Sequence, residues 1–209
     1  MLDMINLPLI MLAGLIAAGS PGPATLALAS TSMEHGRKRG LALASGISTG
    51  SFIWSVMAAL GLGTLMKTNV WAFEMMRYFG AGYLLWLAFK SARSALSASP
   101  APKKLKAQTG GIKSAYLHGL ALHLTNPKAI LFFASLFAVG IPASAPASSL
   151  MLVIAVIGIQ SALIFHGYAL LFSYGAVVAG YNKLRRWFEV IFACAFGAAG
   201  IKILTARFE

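Results

Sequence analysis

The sequence predicts an all-α membrane protein with six transmembrane helices in two inverted three-helix repeats, helices one and four being broken at proline motifs. Three observations carry that expectation. Hydrophobic residues make up 58% of the chain and charged residues only 11%, against about 25% charged in an ordinary soluble domain. The apolar residues fall in runs of the length a bilayer requires, about 20 residues each. Two of those runs are interrupted by proline, at Pro21 and Pro23 and again at Pro127.

Taken in order, the first span covers Leu7 to Ala29 and is interrupted by Gly19-Ser20-Pro21-Gly22-Pro23. A basic loop from Glu34 to Gly40 leads to the second span, Leu41 to Met66, rich in Gly and Ser. The third span ends at Phe89, and a Ser/Ala/Pro/Lys-rich linker follows to Lys113. Residues 1–90 thus form repeat one, 91–113 a cytoplasmic linker, and 114–209 repeat two. The fourth span, Ser114 to Gly140, contains His123-Leu124-Thr125-Asn126-Pro127-Lys128. A turn from Pro142 to Ser149 precedes the fifth span, Leu150 to Val178, and Trp187 to Thr205 forms the sixth.

The net charge of +12 does not indicate a nucleic-acid partner. A nucleic-acid binder lays its cations along one exposed face, whereas these fall in clusters between apolar runs. The loops after spans one, three and five hold Arg37 to Arg39, Lys90 to Lys113, and Lys183 to Arg186. The opposite side has only Lys67, Arg77, Lys202 and Arg207. The positive-inside rule then places the three basic loops in the cytoplasm and both termini outside. No cation precedes Arg37, so a cleaved signal peptide is not expected. The single cysteine, Cys194, reads as a small buried apolar residue.

The two halves resemble each other. Phe79-Gly80-Ala81-Gly82 in span three is echoed by Phe196-Gly197-Ala198 in span six. Leu7 to Pro21 and Lys113 to Pro127 cover the same stretch of chain, about 21 Å of helix. Both breaks therefore fall near mid-membrane, approached from opposite faces. Paired discontinuous helices at corresponding positions mark the binding site of many transporters.

The chain also resembles a known family. Ser20-Pro21-Gly22-Pro23, the glycines Gly36, Gly40, Gly46 and Gly50, and Gly61-Leu62-Gly63 are followed by Phe79-Gly80-Ala81-Gly82-Tyr83-Leu84-Leu85-Trp86-Leu87 and Thr125-Asn126-Pro127-Lys128. In this order and spacing, over nearly the full length, they resemble the LysE/RhtB family of bacterial amino-acid exporters, the homoserine/threonine-type branch more than the basic amino-acid branch. One departure is a Pro-Gln-Phe segment of the family after span four, where this chain reads Phe137-Ala138-Val139-Gly140-Ile141-Pro142. The resemblance implies efflux of a small amino acid across the bacterial inner membrane, driven by the proton-motive force. It implies no enzyme activity and no cofactor; the partners are the amino acid and the lipid bilayer, and a homo-oligomer is compatible with it.

The candidate substrate-binding residues are Ser20, Pro21, Gly22 and Pro23 at the first break, and Asn126, Pro127 and Lys128 at the second. Proline removes a backbone donor and displaces the preceding turn, freeing carbonyls. Lys128 suits a substrate carboxylate, freed carbonyls suit its ammonium, and amides opening a half-helix attract an anion. The bland alternatives are a structural kink and a lysine that snorkels to the interface. His118, His123 and His166 are the embedded residues of the type that could titrate near neutral pH, and so the candidates for proton coupling; packing is the alternative for each. The acidic residues, Glu189 included, read as terminal or interfacial, which favours a neutral substrate over a basic one. Gln160 and Ser161 read as lining a polar path in span five.

A second class of function rests on Gly46-Ile47-Ser48-Thr49-Gly50, which matches the nucleophile pattern of serine hydrolases with Ser48 as nucleophile. That motif requires a strand-to-helix elbow. Within an apolar helix, the same residues are a Gly-x-x-x-Gly packing face.

Overall fold

A computed structural model describes residues 5, 7–20, 22–68, 70–97, 110–141 and 145–205. Among these residues the chain is helical throughout, as α1 (Leu7–Gly19), α2 (Pro23–Thr68), α3 (Val70–Leu96), α4 (Ile112–Leu124), α5 (Pro127–Gly140), α6 (Ala147–Leu171) and α7 (Gly175–Thr205). Both interruptions lie where the prolines demand them. Proline lacks the amide that would continue the ladder, yet its fixed φ suits a helix start. Hence α2 opens on Pro23 and α5 on Pro127. The axes of α4 and α5 meet at 56°.

α2 is 46 residues long, about 69 Å of helix, more than twice the thickness of a hydrocarbon core of about 30 Å. It is divided at Gly36, whose φ of 78° and ψ of 175° are not helical. A Cβ at Gly36 would meet nothing within 4 Å, so the backbone angle and not the space is what requires glycine there. The expected loop from Glu34 to Gly40 is therefore a one-residue break between helical stretches. The linker expected from residue 91 also begins as helix, since α3 continues to Leu96; residues 98–109 lie outside the described part, as do 142–144. α6 stops at Leu171, and α7 begins at Gly175 rather than Trp187. Lys and Arg are good helix formers, so the basic cluster near Lys183 rides on the helix instead of breaking it.

The longest packing runs pair α2 with α4 and α6, and α3 with α7. Helices in lipid gain little from hiding apolar surface; close approach of small residues and internal hydrogen bonds hold them instead. The α2–α4 crossing is such a contact. A Cβ at Gly46 would lie 2.0 Å from the Tyr116 carbonyl oxygen, and one at Gly119 would lie 2.2 Å from that of Leu43. Three apolar clusters fill the interior. One joins Ile10, Phe133, Phe137 and Ile157, the second Leu28, Leu43, Ile47 and Phe165, the third Ala17, Leu84, Phe192 and Phe196.

The surface is inverted relative to a water-soluble domain. Leu60, Trp71, Phe79, Met151 and Leu163 are each at least two-thirds exposed, while Ser20, Ser51, His123, Asn126 and Ser161 are buried. Apolar outside and polar inside is the arrangement lipid selects. Among the described residues, α2 and α6 are long and apolar enough to cross a membrane, and α4 with α5 makes a third span if the bent pair counts as one. Cys194 faces outward on α7 and is exposed, contrary to the sequence expectation.

Candidate binding cavity at the two helix breaks

The three apolar clusters do not close completely where the two breaks face each other. They leave a cavity bounded by α1, α2, α4, α5 and α6. Its apolar wall is Ala17, Phe132, Phe133, Ile157 and Phe165, and its polar groups are Ser20, Thr25, Ser51, His123, Asn126, Lys128, Gln160 and Ser161.

Lys128 ties the two breaks together. It sits in the first turn of α5, and its Nζ donates to the Ser20 carbonyl at 3.0 Å and to the Ser20 hydroxyl. An ammonium has three donors, so one remains for the cavity. Gly22 lies against the lysine; a Cβ there would make ordinary van der Waals contact with Nζ at 3.5 Å. Asn126 is the N-cap of α5, its Oδ1 accepting from the Lys128 amide at 3.1 Å. The Asn126 carbonyl accepts from the amides of Ala129 (2.9 Å) and Ile130 (3.1 Å). The start of α5 thus presents the Lys128 side chain to the cavity, its first amides being already bonded.

The first break is capped in the same way. Thr25 Oγ1 accepts from the Gly22 amide at 2.8 Å and donates to the Gly22 carbonyl at 3.0 Å. The end carbonyls of α1 are engaged too: that of Ala17 accepts from the Ser20 hydroxyl (3.2 Å) and that of Gly19 from the Tyr168 hydroxyl (3.2 Å).

His123 belongs to a buried polar chain. The Ser161 hydroxyl donates to Ser51 Oγ at 2.8 Å, and Ser51 Oγ lies 3.0 Å from His123 Nε2. Nε2 is thereby engaged with Ser51, which leaves Nδ1 as the ring's other polar atom. That Nδ1 is buried without a partner. Phe133 and Phe165 hold the ring edge-on from both sides, with centroids 6.5 and 6.0 Å away.

Of the residues singled out in the sequence, Ser20, Gly22, Asn126, Lys128, His123, Gln160 and Ser161 meet at this cavity. Pro23 and Pro127 are exposed and outside its wall; they open the helices α2 and α5 whose first turns line it. Pro21 lies outside the described residues. His118 and His166 are not part of its wall. His166 instead has Nε2 3.0 Å from Ser45 Oγ and Nδ1 2.8 Å from the Ala162 carbonyl. Ser48 donates back to the Ala44 carbonyl at 2.9 Å, and the described histidine–serine pairs use Ser45 and Ser51 instead. The nucleophile motif is thus a packing face.

Thr25, Ser51 and Tyr168 were not recognisable in the sequence as site residues. A lone hydroxyl in an apolar run carries no spacing signal, and each gains its role from a neighbour on another helix or at a break. Glu189 is a correction: it is only 5% exposed, mid-way along α7, and accepts a hydrogen bond from the Ser94 hydroxyl at 2.9 Å. It seemed interfacial because α7 was expected to begin just before it.

Comparison with known proteins shows the family. The profile of the LysE type translocator matches residues 15–207. The chain belongs to that family. Among its relatives is the threonine efflux protein of Escherichia coli (strain K12), 28% identical over 197 residues that cover 92% of this chain and 94% of the relative. The homoserine/homoserine lactone efflux protein of Salmonella typhimurium (strain LT2) is 31% identical over 189 residues, 90% of each chain. The leucine efflux protein of Enterobacter sp. (strain 638) is 34% identical over 169 residues, covering 79% and 77%. No solved structure matches. LysE family members are translocators and not enzymes, in keeping with the back-bonded Ser48.

Proposed function

We propose that this LysE family protein exports a neutral L-amino acid, or a close derivative, across the bacterial inner membrane. The observation that carries the reading is Lys128, a cation inside an apolar bundle, reaching from one helix break to the other at the wall of a cavity. A charge in that position marks a substrate or ion path by default, and the named relatives efflux threonine, leucine and homoserine. Among the described cavity residues there is no carboxylate, which favours a neutral substrate over lysine or arginine.

In this reading α1 with the first part of α2, and α4 with α5, are equivalent broken spans of two inverted repeats, residues 1–90 and 114–209. Six spans then place the three basic loops in the cytoplasm and both termini outside. The division of α2 at Gly36 and the two proline starts support that count. Transport proceeds by rocking one half against the other around the cavity. The Lys128–Ser20 bridge crosses between the halves, so it is the contact that a substrate carboxylate would share. Proton coupling falls to His123, the one of the three candidate histidines that lines the cavity.

Proteoliposomes loaded with a panel of neutral and basic amino acids test this. The expected result is saturable efflux of one or more neutral amino acids, accelerated by an imposed proton gradient. Flux that never saturates and ignores the gradient would show a passive pore instead.

A further inference from the structure

Lys128 answers the carboxylate of an amino acid, but an ammonium needs an acceptor, and several carbonyls at the breaks are already engaged. At the first break the carbonyls of Ala17, Gly19 and Ser20 accept from Ser20, Tyr168 and Lys128. At the second, those of Ala121, His123 and Asn126 accept from Thr125, Asn126 and Ala129. These six carbonyls at the breaks are therefore already engaged by the chain itself.

Among the described residues of the wall, one side-chain oxygen is buried without a hydrogen-bond partner. Gln160, on α6, donates its Nε2 to the Met11 carbonyl of α1 at 2.8 Å. This fixes the amide's orientation, because reversing it would bring two oxygens together at that distance. Oε1 is consequently turned the other way, where it is buried and has no hydrogen-bond partner. Room for it exists because residue 14 is glycine; a Cβ at Gly14 would lie 2.6 Å from Oε1. Both Gly14 and Gln160 line the cavity. A buried carbonyl oxygen held without a protein partner is unfavourable, and a ligand donor relieves it.

We propose that Gln160 Oε1 receives the α-ammonium of the transported amino acid, with Met11 holding the amide in place and Gly14 keeping the oxygen's position open. Gln160 then makes the cavity select for amino acids over the corresponding carboxylic acids, without a buried carboxylate that would also admit cationic side chains. This assignment rests on the export reading and deepens it.

The test compares binding of leucine with 4-methylpentanoate, and of threonine with 3-hydroxybutanoate, each pair differing only in the ammonium. Calorimetry on the purified protein in lipid nanodiscs is expected to show at least a tenfold preference for the amino acid in at least one pair, about the ratio a hydrogen bond from a charged donor confers. Gln160→Met and Gly14→Ala should each remove most of that preference and leave the affinity for the carboxylic acid within about twofold. Gly14→Ala displaces the oxygen but retains the amide, so it gives the reading if Gln160→Met does not insert. A wild-type protein with no ammonium preference, or folded variants that keep it, would overturn the role of Gln160 alone. Binding of no neutral amino acid at all would overturn the export reading and this assignment together.

Discussion

Replacing Lys128 by methionine removes one charge from the cavity and little else. The two side chains are similar in length, so no void opens in the wall. The protein loses the donor to the Ser20 carbonyl at 3.0 Å and to the Ser20 hydroxyl, which keeps its own bond to Ala17 at 3.2 Å. One carbonyl left unpartnered costs about 1–3 kcal/mol, tolerable against a folding stability of about 5–15 kcal/mol. The variant should therefore insert and remain monodisperse. Its substrate, in contrast, loses a charge-assisted bond of about 1.5–3 kcal/mol. The half-saturation concentration for efflux should rise about ten- to a hundredfold, and efflux at low internal substrate should fall to background. Substrate-loaded proteoliposomes measure both quantities. Combining Lys128→Met with Ser20→Ala adds a second check, because residues sharing a bond are non-additive by about 0.5–3 kcal/mol. Wild-type efflux from a properly inserted Lys128→Met protein would refute the carboxylate role.

Other outcomes follow from the same geometry. Asn126→Ala removes the cap of α5 and should lower thermal stability in detergent by about 0.5–2 kcal/mol, with Asn126→Asp restoring most of it; an unchanged melting temperature would count against the cap. Gly46→Ala drives a methyl into the Tyr116 carbonyl and should cost about 1–3 kcal/mol in the same melt, whereas Gly167→Ala, with nothing within 4 Å, should be neutral or slightly stabilising. Ser48→Ala should leave efflux intact and alter stability by no more than about 0.5 kcal/mol. Ser51→Ala removes the partner of both Ser161 and His123 and should cost about 1–3 kcal/mol. Equal melting shifts for the two serine variants would contradict the buried chain.

What the sequence by itself determined is what depends on near neighbours in the chain. Helical content follows from apolar runs and few charges, and the two breaks from Pro23 and Pro127, whose missing amides and ring clashes act within one turn. That α2 has a close-packing face was legible in Gly46 and Gly50, because a missing side chain declares itself wherever the helix goes; that α4 covers it was not. Boundaries were less legible. The loop at Glu34 to Gly40 reduced to a single left-handed glycine, and α7 absorbed a basic cluster that had read as a loop, since charge marks a membrane boundary without ending a helix.

Tertiary structure alone decided which polar groups meet. Nothing in the chain within several residues of Lys128 shows that its Nζ would reach Ser20, 108 positions away, and join the two breaks. Histidines that looked alike in apolar runs were separated only by their partners: His123 turned to Ser51 and the cavity, His166 to Ser45. Burial of Glu189 depended on α3 lying alongside α7, and the orphaned oxygen of Gln160 on Met11 and Gly14 of a helix far away in sequence. The physical reason is common to all of these. Backbone breaks are local and follow from covalent geometry, whereas a hydrogen bond depends on which atom lies within about 3 Å, and only the packed chain sets that distance.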